Sequence, residues 1–236
     1  MATAPIRAAH STEEGVDCMQ EPRSFTRVIQ KQVSATYLLF LPDGYSVDPA
    51  RRWPLILFLH GAGERGNDLS RVKIYGPPRL AEERPADFPF IIVSPQCPEG
   101  KTWDPDVLLA LLDEVCASHA VDENRIYLTG LSMGGMGAFE LALAAPQRFA
   151  AVAPICGAGN PLWVRPEHAA LPFWVFHGDQ DQTVPPFMSL QMVEALKAVG
   201  APVRFTLYPG VGHDAWTQTY ANPELYQWFL QHRRDG

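Results

Sequence analysis

The chain has 236 residues, 47% of them hydrophobic and 19% charged, and a formal net charge of −7. That length and balance suit one α/β domain with a sizeable core, and no apolar run approaches the roughly 18 residues that a membrane helix needs. The 19 Lys and Arg are scattered apart from Arg51-Arg52 and Arg233-Arg234, which argues against the basic face that nucleic acid requires.

Residues 1–24 are polar and aperiodic and read as a loosely ordered arm, with residues 25–236 as a single domain. The N-terminus lacks a basic start followed by an apolar stretch, so no secretory signal is expected and the cytoplasm is the default location. Phe25 to Gln32 alternates apolar and polar, Ala35 to Leu41 is strand-like, and Pro42-Asp43-Gly44-Tyr45 supplies a turn, so the sheet is expected to open antiparallel. Leu55-Ile56-Leu57-Phe58-Leu59 is wholly apolar, as a strand covered on both faces must be. It runs into His60-Gly61-Ala62-Gly63-Glu64-Arg65-Gly66, too rich in glycine for a helix. Phe90 to Val93 is another buried strand, followed by an irregular stretch to Trp103. Asp104 and Pro105 then open a helix whose Leu108, Leu111, Leu112 and Val115 share one face.

Arg125 to Thr129 reads as a strand and Met133 to Ala145 as a helix ended by Pro146. Between them lies Gly130-Leu131-Ser132-Met133-Gly134-Gly135, a GxSxG pattern with an extra glycine. Composition alone would produce such a pattern in roughly one chain of this length in ten, so the weight rests on its setting. A serine on a strand-to-helix turn is pushed toward unfavourable dihedrals, and small residues two before and two after it keep strand and helix apart. Further on, Phe149 to Ile155 and Phe173 to His177 read as strands, Pro186 to Val199 as a helix, Val203 to Tyr208 as a strand and Asn222 to His232 as the last helix. Alternation of this kind implies a mostly parallel sheet covered by helices on both faces, with functional groups at the carboxyl ends of the strands.

A serine hydroxyl is a poor nucleophile unless a base takes its proton and a carboxylate orients that base. Of the downstream histidines, His168, His177, His213 and His232, only His213 sits in a flexible loop directly after a strand, where a mobile base belongs. The loop from His177 to Pro185 offers Asp181 and Asp179 as the acid; Asp181 is better placed to reach across the strand ends, and Asp179 can cap the turn. For a negatively charged oxygen, the Met133 amide opens a helix and therefore favours an anion. A second donor is expected from the His60 to Gly63 loop, with Ala62 preferred and Gly61 and Gly63 as neighbouring alternatives. Gln96 and Trp103 are candidate pocket-lining residues, with Trp163 and Trp216 as second choices. The cysteines, Cys18, Cys97, Cys116 and Cys156, have no CxxC spacing or histidine pair, which argues against zinc and a redox dithiol and leaves mostly buried free thiols.

These segments resemble the α/β-hydrolase superfamily, and more closely its small bacterial esterases and predicted peptidases related to the dienelactone hydrolase and prolyl oligopeptidase groups. The resemblance rests on His60 to Gly66, Ser94-Pro95-Gln96-Cys97-Pro98, Gly130 to Gly135, the His177 to Pro185 loop and Gly212-His213-Asp214-Ala215-Trp216. It implies a triad of Ser132, Asp181 and His213. It departs from the dienelactone hydrolases, which use cysteine as nucleophile, and from the prolyl oligopeptidases, which carry a propeller domain. The expected chemistry is hydrolysis of small or short-acyl esters without metal or organic cofactor, because the stretch from Cys156 to Leu171 is too short for a helical cap. A serine peptidase or amidase using the same triad, and a binding module without activity, are the alternatives. The sequence leaves the oligomeric state open.

Overall fold

In the computed structural model, residue 20 and residues 22–234 are described, and the chain divides into two units, Met1–Gln32 and Val33–Gly236. Most of the arm expected over residues 1–24 lies outside the described residues. Residues 25–32 belong to the first unit and form no strand, and Phe25, Val28 and Ile29 are exposed. An alternating segment becomes a strand only where a neighbour accepts its backbone hydrogen bonds and covers one face. The expected boundary before Phe25 therefore moves to Gln32.

The second unit holds seven strands: β1 Thr36–Phe40, β2 Trp53–Leu59, β3 Ile91–Gln96, β4 Val121–Leu131, β5 Ala151–Ile155, β6 Phe173–Gly178 and β7 Val203–Tyr208. Their order across the sheet is β1-β3-β2-β4-β5-β6-β7. β1 is antiparallel to β3 and the remaining pairs are parallel. The helices are α1 Gly76–Glu83, α2 Pro105–Ser118, α3 Met133–Ala144, α4 Phe187–Ala198, α5 Trp216–Ala221 and α6 Pro223–Gln231.

Alternate residues of β2 divide the interior in two. Leu55, Leu57 and Leu59 join the core beneath α2, α3 and α4, while Ile56 and Phe58 join the one beneath α1, α5 and α6. A strand whose side chains are all buried on both faces cannot alternate with polar residues, which is why β2 reads as continuous leucine, isoleucine and phenylalanine. Helices α1 and α5 escaped the periodicity reading. The first opens on Gly76-Pro77-Pro78 and the second is only six residues long, too short for two apolar turns to repeat. The stretch between β5 and β6, all of it described, contains two single 3-10 turns, Pro161–Trp163 and Pro166–His168, and no cap helix. Among the described residues, no helix is long and apolar enough to cross a membrane.

Candidate active site

β4 delivers Ser132 to the rim of the sheet at the start of α3 with φ 54° and ψ −117°, a positive φ that a side chain rarely adopts. The tightness of the turn dictates its flanks. A Cβ on Gly130 would stand 2.3 Å from the carbonyl oxygen of Gly134, and one on Gly134 would stand 1.9 Å from that of Leu59. Both contacts are with backbone, which cannot step aside as a side chain could. The Ser132 amide is held by the Ile155 carbonyl at 2.9 Å, so β5 fixes the turn from its other side.

Two further strand ends bring their loops to this serine. The loop after β7 carries His213, whose Nε2 lies 2.9 Å from Ser132 Oγ and whose Nδ1 lies 2.6 Å from Asp181 Oδ2. Asp181, in the loop after β6, is buried, and its Oδ1 accepts the amides of Thr183 and Val184, each at 2.9 Å. Burial alone would push this carboxyl up. The hydrogen bonds from His213, Val184 and Thr183 outweigh it and hold the carboxyl below the usual aspartate range. With a carboxylate at Nδ1, the imidazole carries its hydrogen there and presents a bare Nε2 to the serine hydroxyl. Asp179 faces elsewhere: its Oδ1 accepts the Gly210 amide at 2.7 Å and ties the β6 loop to the turn after β7.

Ala62 and Met133 each open a helical turn, so their amides have no acceptor within their own helix. The loop around Ala62 is nevertheless firmly held. His60 is buried, with Nδ1 donating to the Gly61 carbonyl at 2.6 Å and Nε2 accepting the Cys97 amide at 3.0 Å. Burial pushes this imidazole down to about 4, against the pull of the Gly61 carbonyl. Glu64 Oε2 accepts the Gly61 amide at 2.9 Å, and Gly66 donates to the Cys97 carbonyl at 3.0 Å.

Gln96 and Trp103, expected to line the pocket, are both buried behind this loop. Gln96 donates through Nε2 to the carbonyls of Glu64 and Asp68 at 2.9 and 2.8 Å, and Trp103 donates to the His60 carbonyl at 3.2 Å. Their work is to brace the loop, since the segment carrying them packs under it. The second choices lie nearer the surface. Trp216 stands edge-on to His213 with ring centroids 5.2 Å apart. Trp163 is 54% exposed and lines a groove of about 240 Å³ with Met136, Glu140, Gly159 and Asn160. Met136 is one helical turn beyond Ser132, bonded to its carbonyl at 3.0 Å.

Cys156, at the end of β5, completes the one group of three potential metal ligands among the described residues, with Asp181 and His213. The facing atoms of those two partners are already spent on each other at 2.6 Å. Burial pushes the Cys156 thiol up, so it offers no thiolate at neutral pH. Two residues that the sequence reading passed over belong to this site. His60 looked like the lead-in to a glycine loop. His177 read only as the last residue of a strand, although it is fully buried against Asp181.

A mostly parallel seven-stranded sheet, helices on both faces and a sharp serine turn between β4 and α3 define an α/β hydrolase. The model of the phospholipase/carboxylesterase family matches residues 106–223, half of the chain, and the chain belongs to that family. It is 29% identical over 146 residues to a probable feruloyl esterase C of Aspergillus terreus, covering 59% of this chain and 52% of that protein. It is 31% identical over 162 residues to the putative esterase NocK of Nocardia uniformis subsp. tsuyamanensis, covering 63% and 46% respectively. Among solved structures, a thermostable esterase superposes with a TM-score of 0.72 at 35% identity, over 84% of this chain and 59% of that one. The chain thus spans about half the length of the curated relatives it matches.

Proposed function

We propose that the chain is a serine carboxylesterase acting on small or short-acyl esters, with Ser132 as nucleophile, His213 as base, Asp181 as its orienting acid and the Ala62 and Met133 amides as oxyanion donors. The observation that carries this reading is the unbroken relay from Ser132 Oγ through His213 to Asp181, with links of 2.9 and 2.6 Å. As Ser132 Oγ attacks the ester carbonyl, its proton passes to His213 Nε2 and the carbonyl oxygen becomes an anion facing the two amides. Collapse expels the alcohol, which takes the proton from Nε2. Water then gives a proton to the same nitrogen and attacks the acyl-enzyme, and collapse releases the acid as Ser132 Oγ takes that proton back from Nε2. No step calls on a metal or organic cofactor.

The groove of about 240 Å³ beside Met136 and Trp163 runs along α3 and begins one helical turn beyond Ser132. Aromatic acyl groups are therefore included among the substrates, a reading supported by a relative named as a feruloyl esterase. The free thiols Cys97, Cys116 and Cys156 suit a reducing compartment, which favours the cytoplasm. Ester turnover should be measured with p-nitrophenyl acetate beside a peptide anilide, and Ser132 should be tested with a fluorophosphonate probe. The proposal expects ester cleavage, and labelling that disappears in Ser132→Ala. Labelling that persists in that variant, or anilide cleavage without ester cleavage, would overturn it.

A further inference from the structure

His177 lies at the carboxyl end of β6, fully buried, with both ring nitrogens engaged. Its Nε2 is 3.1 Å from Asp181 Oδ2 and 2.8 Å from the Val184 carbonyl. Both neighbours are acceptors, so this nitrogen carries the hydrogen. Its Nδ1 is 2.7 Å from Ser189 Oγ on α4, and that hydroxyl donates to the Gly157 carbonyl at 2.7 Å. The ring is thus fixed by the loop after β6 and by α4, and Asp181 Oδ2 meets two imidazoles, His213 on one side and His177 on the other.

We propose that His177 is a positioning residue for the reaction, acting through Asp181: its Nε2–H shares the negative charge of Oδ2 and fixes the direction in which that oxygen faces His213. The inference rests on the triad reading above. A carboxylate that accepts an additional donor stabilises the neighbouring imidazolium less, so removing the His177 donor should let Asp181 hold the His213 proton more tightly. The other groups around this cluster leave that role to His177. The Cys156 thiol, after β5, stays protonated because burial pushes it up. Ser132 and Ser189 are neutral, and the Asp214 carboxylate is occupied by the Thr217 amide and hydroxyl. Asp179 is spent on Gly210.

Nitrogen-15 NMR of the full chain reads the role without any ester turnover. In the unmodified protein His177 Nε2 should carry a hydrogen; a bare Nε2 facing Asp181 would overturn the proposal with no variant needed. Two substitutions then separate positioning from packing. Gln places an amide N–H near the imidazole Nε2, whereas Asn, one carbon shorter, reaches only toward Ser189. His177→Asn should raise the titration midpoint of His213 by about one pH unit, and His177→Gln should leave it near the wild-type value. In turnover, His177→Asn should lose about tenfold in kcat/KM below the midpoint, regained as pH rises, with KM unchanged. Identical His213 midpoints in all three proteins, or equal displacement by both substitutions, would overturn the proposal. Failure of the esterase reading would show separately, as absent turnover by the wild type.

Discussion

His60 couples acid stability to the loop that carries Ala62. In the folded chain its imidazole is pushed down to about 4, first by burial and further by Arg65 and Arg71, against an ordinary value of 6.5. On acidification the unfolded chain therefore binds a proton before the folded one can. The contribution is complete above about pH 6.5 and is lost as pH falls toward 4. The displacement from 6.5 to about 4, at about 1.4 kcal/mol per pH unit, amounts to about 3 to 4 kcal/mol. The direction has a structural cause. Nε2 must stay bare to accept the Cys97 amide, and a proton there would set two donors against each other in a buried site. Urea unfolding between pH 7 and 4.5 should show this loss in the wild type. It should be smaller in His60→Gln, which does not titrate but keeps an acceptor for Cys97, even though that variant starts less stable at pH 7. Parallel loss in the two proteins across this window would refute the assignment.

Three other outcomes follow from distances in the site. Asp181→Asn should lower kcat by about 10⁴, while Asp179→Asn, which disturbs only the Gly210 turn, should cost far less; reversed effects in a steady-state ester assay would exchange the two roles. Gly134→Ala puts a methyl group 1.9 Å from the Leu59 carbonyl oxygen, so thermal unfolding should reveal a loss of at least about 2 kcal/mol, and the displaced serine should lose more activity than stability alone explains. Trp163→Ala should raise KM for aryl-acyl esters about tenfold, near the 1.4 kcal/mol of a lost aromatic contact, and leave acetyl esters unaffected. An equal effect on both ester types would remove the groove from the substrate's path.

The amino-acid sequence by itself determined the layering of this protein. The continuous apolar run of β2, the helical spacing of Leu108, Leu111, Leu112 and Val115, and the glycines on either side of Ser132 each answer a local steric or solvation demand, and local demands can be read in order along a chain. Ser132, Asp181 and His213 could be singled out for the same reason, since each follows a recognisable strand. Tertiary structure decided the rest, because it depended on contacts between segments far apart in the chain. The alternation of Phe25 to Gln32 suggested a strand, yet these residues form none. Gln96, the last residue of β3, and Trp103, on the stretch beyond it, looked open to substrate, yet the His60 loop closes over them. His177 shows the difference most clearly: its position at the end of β6 was visible from the sequence, but its two hydrogen-bonding directions exist only once α4 brings Ser189 to one nitrogen and the β6 loop folds Asp181 back onto the other.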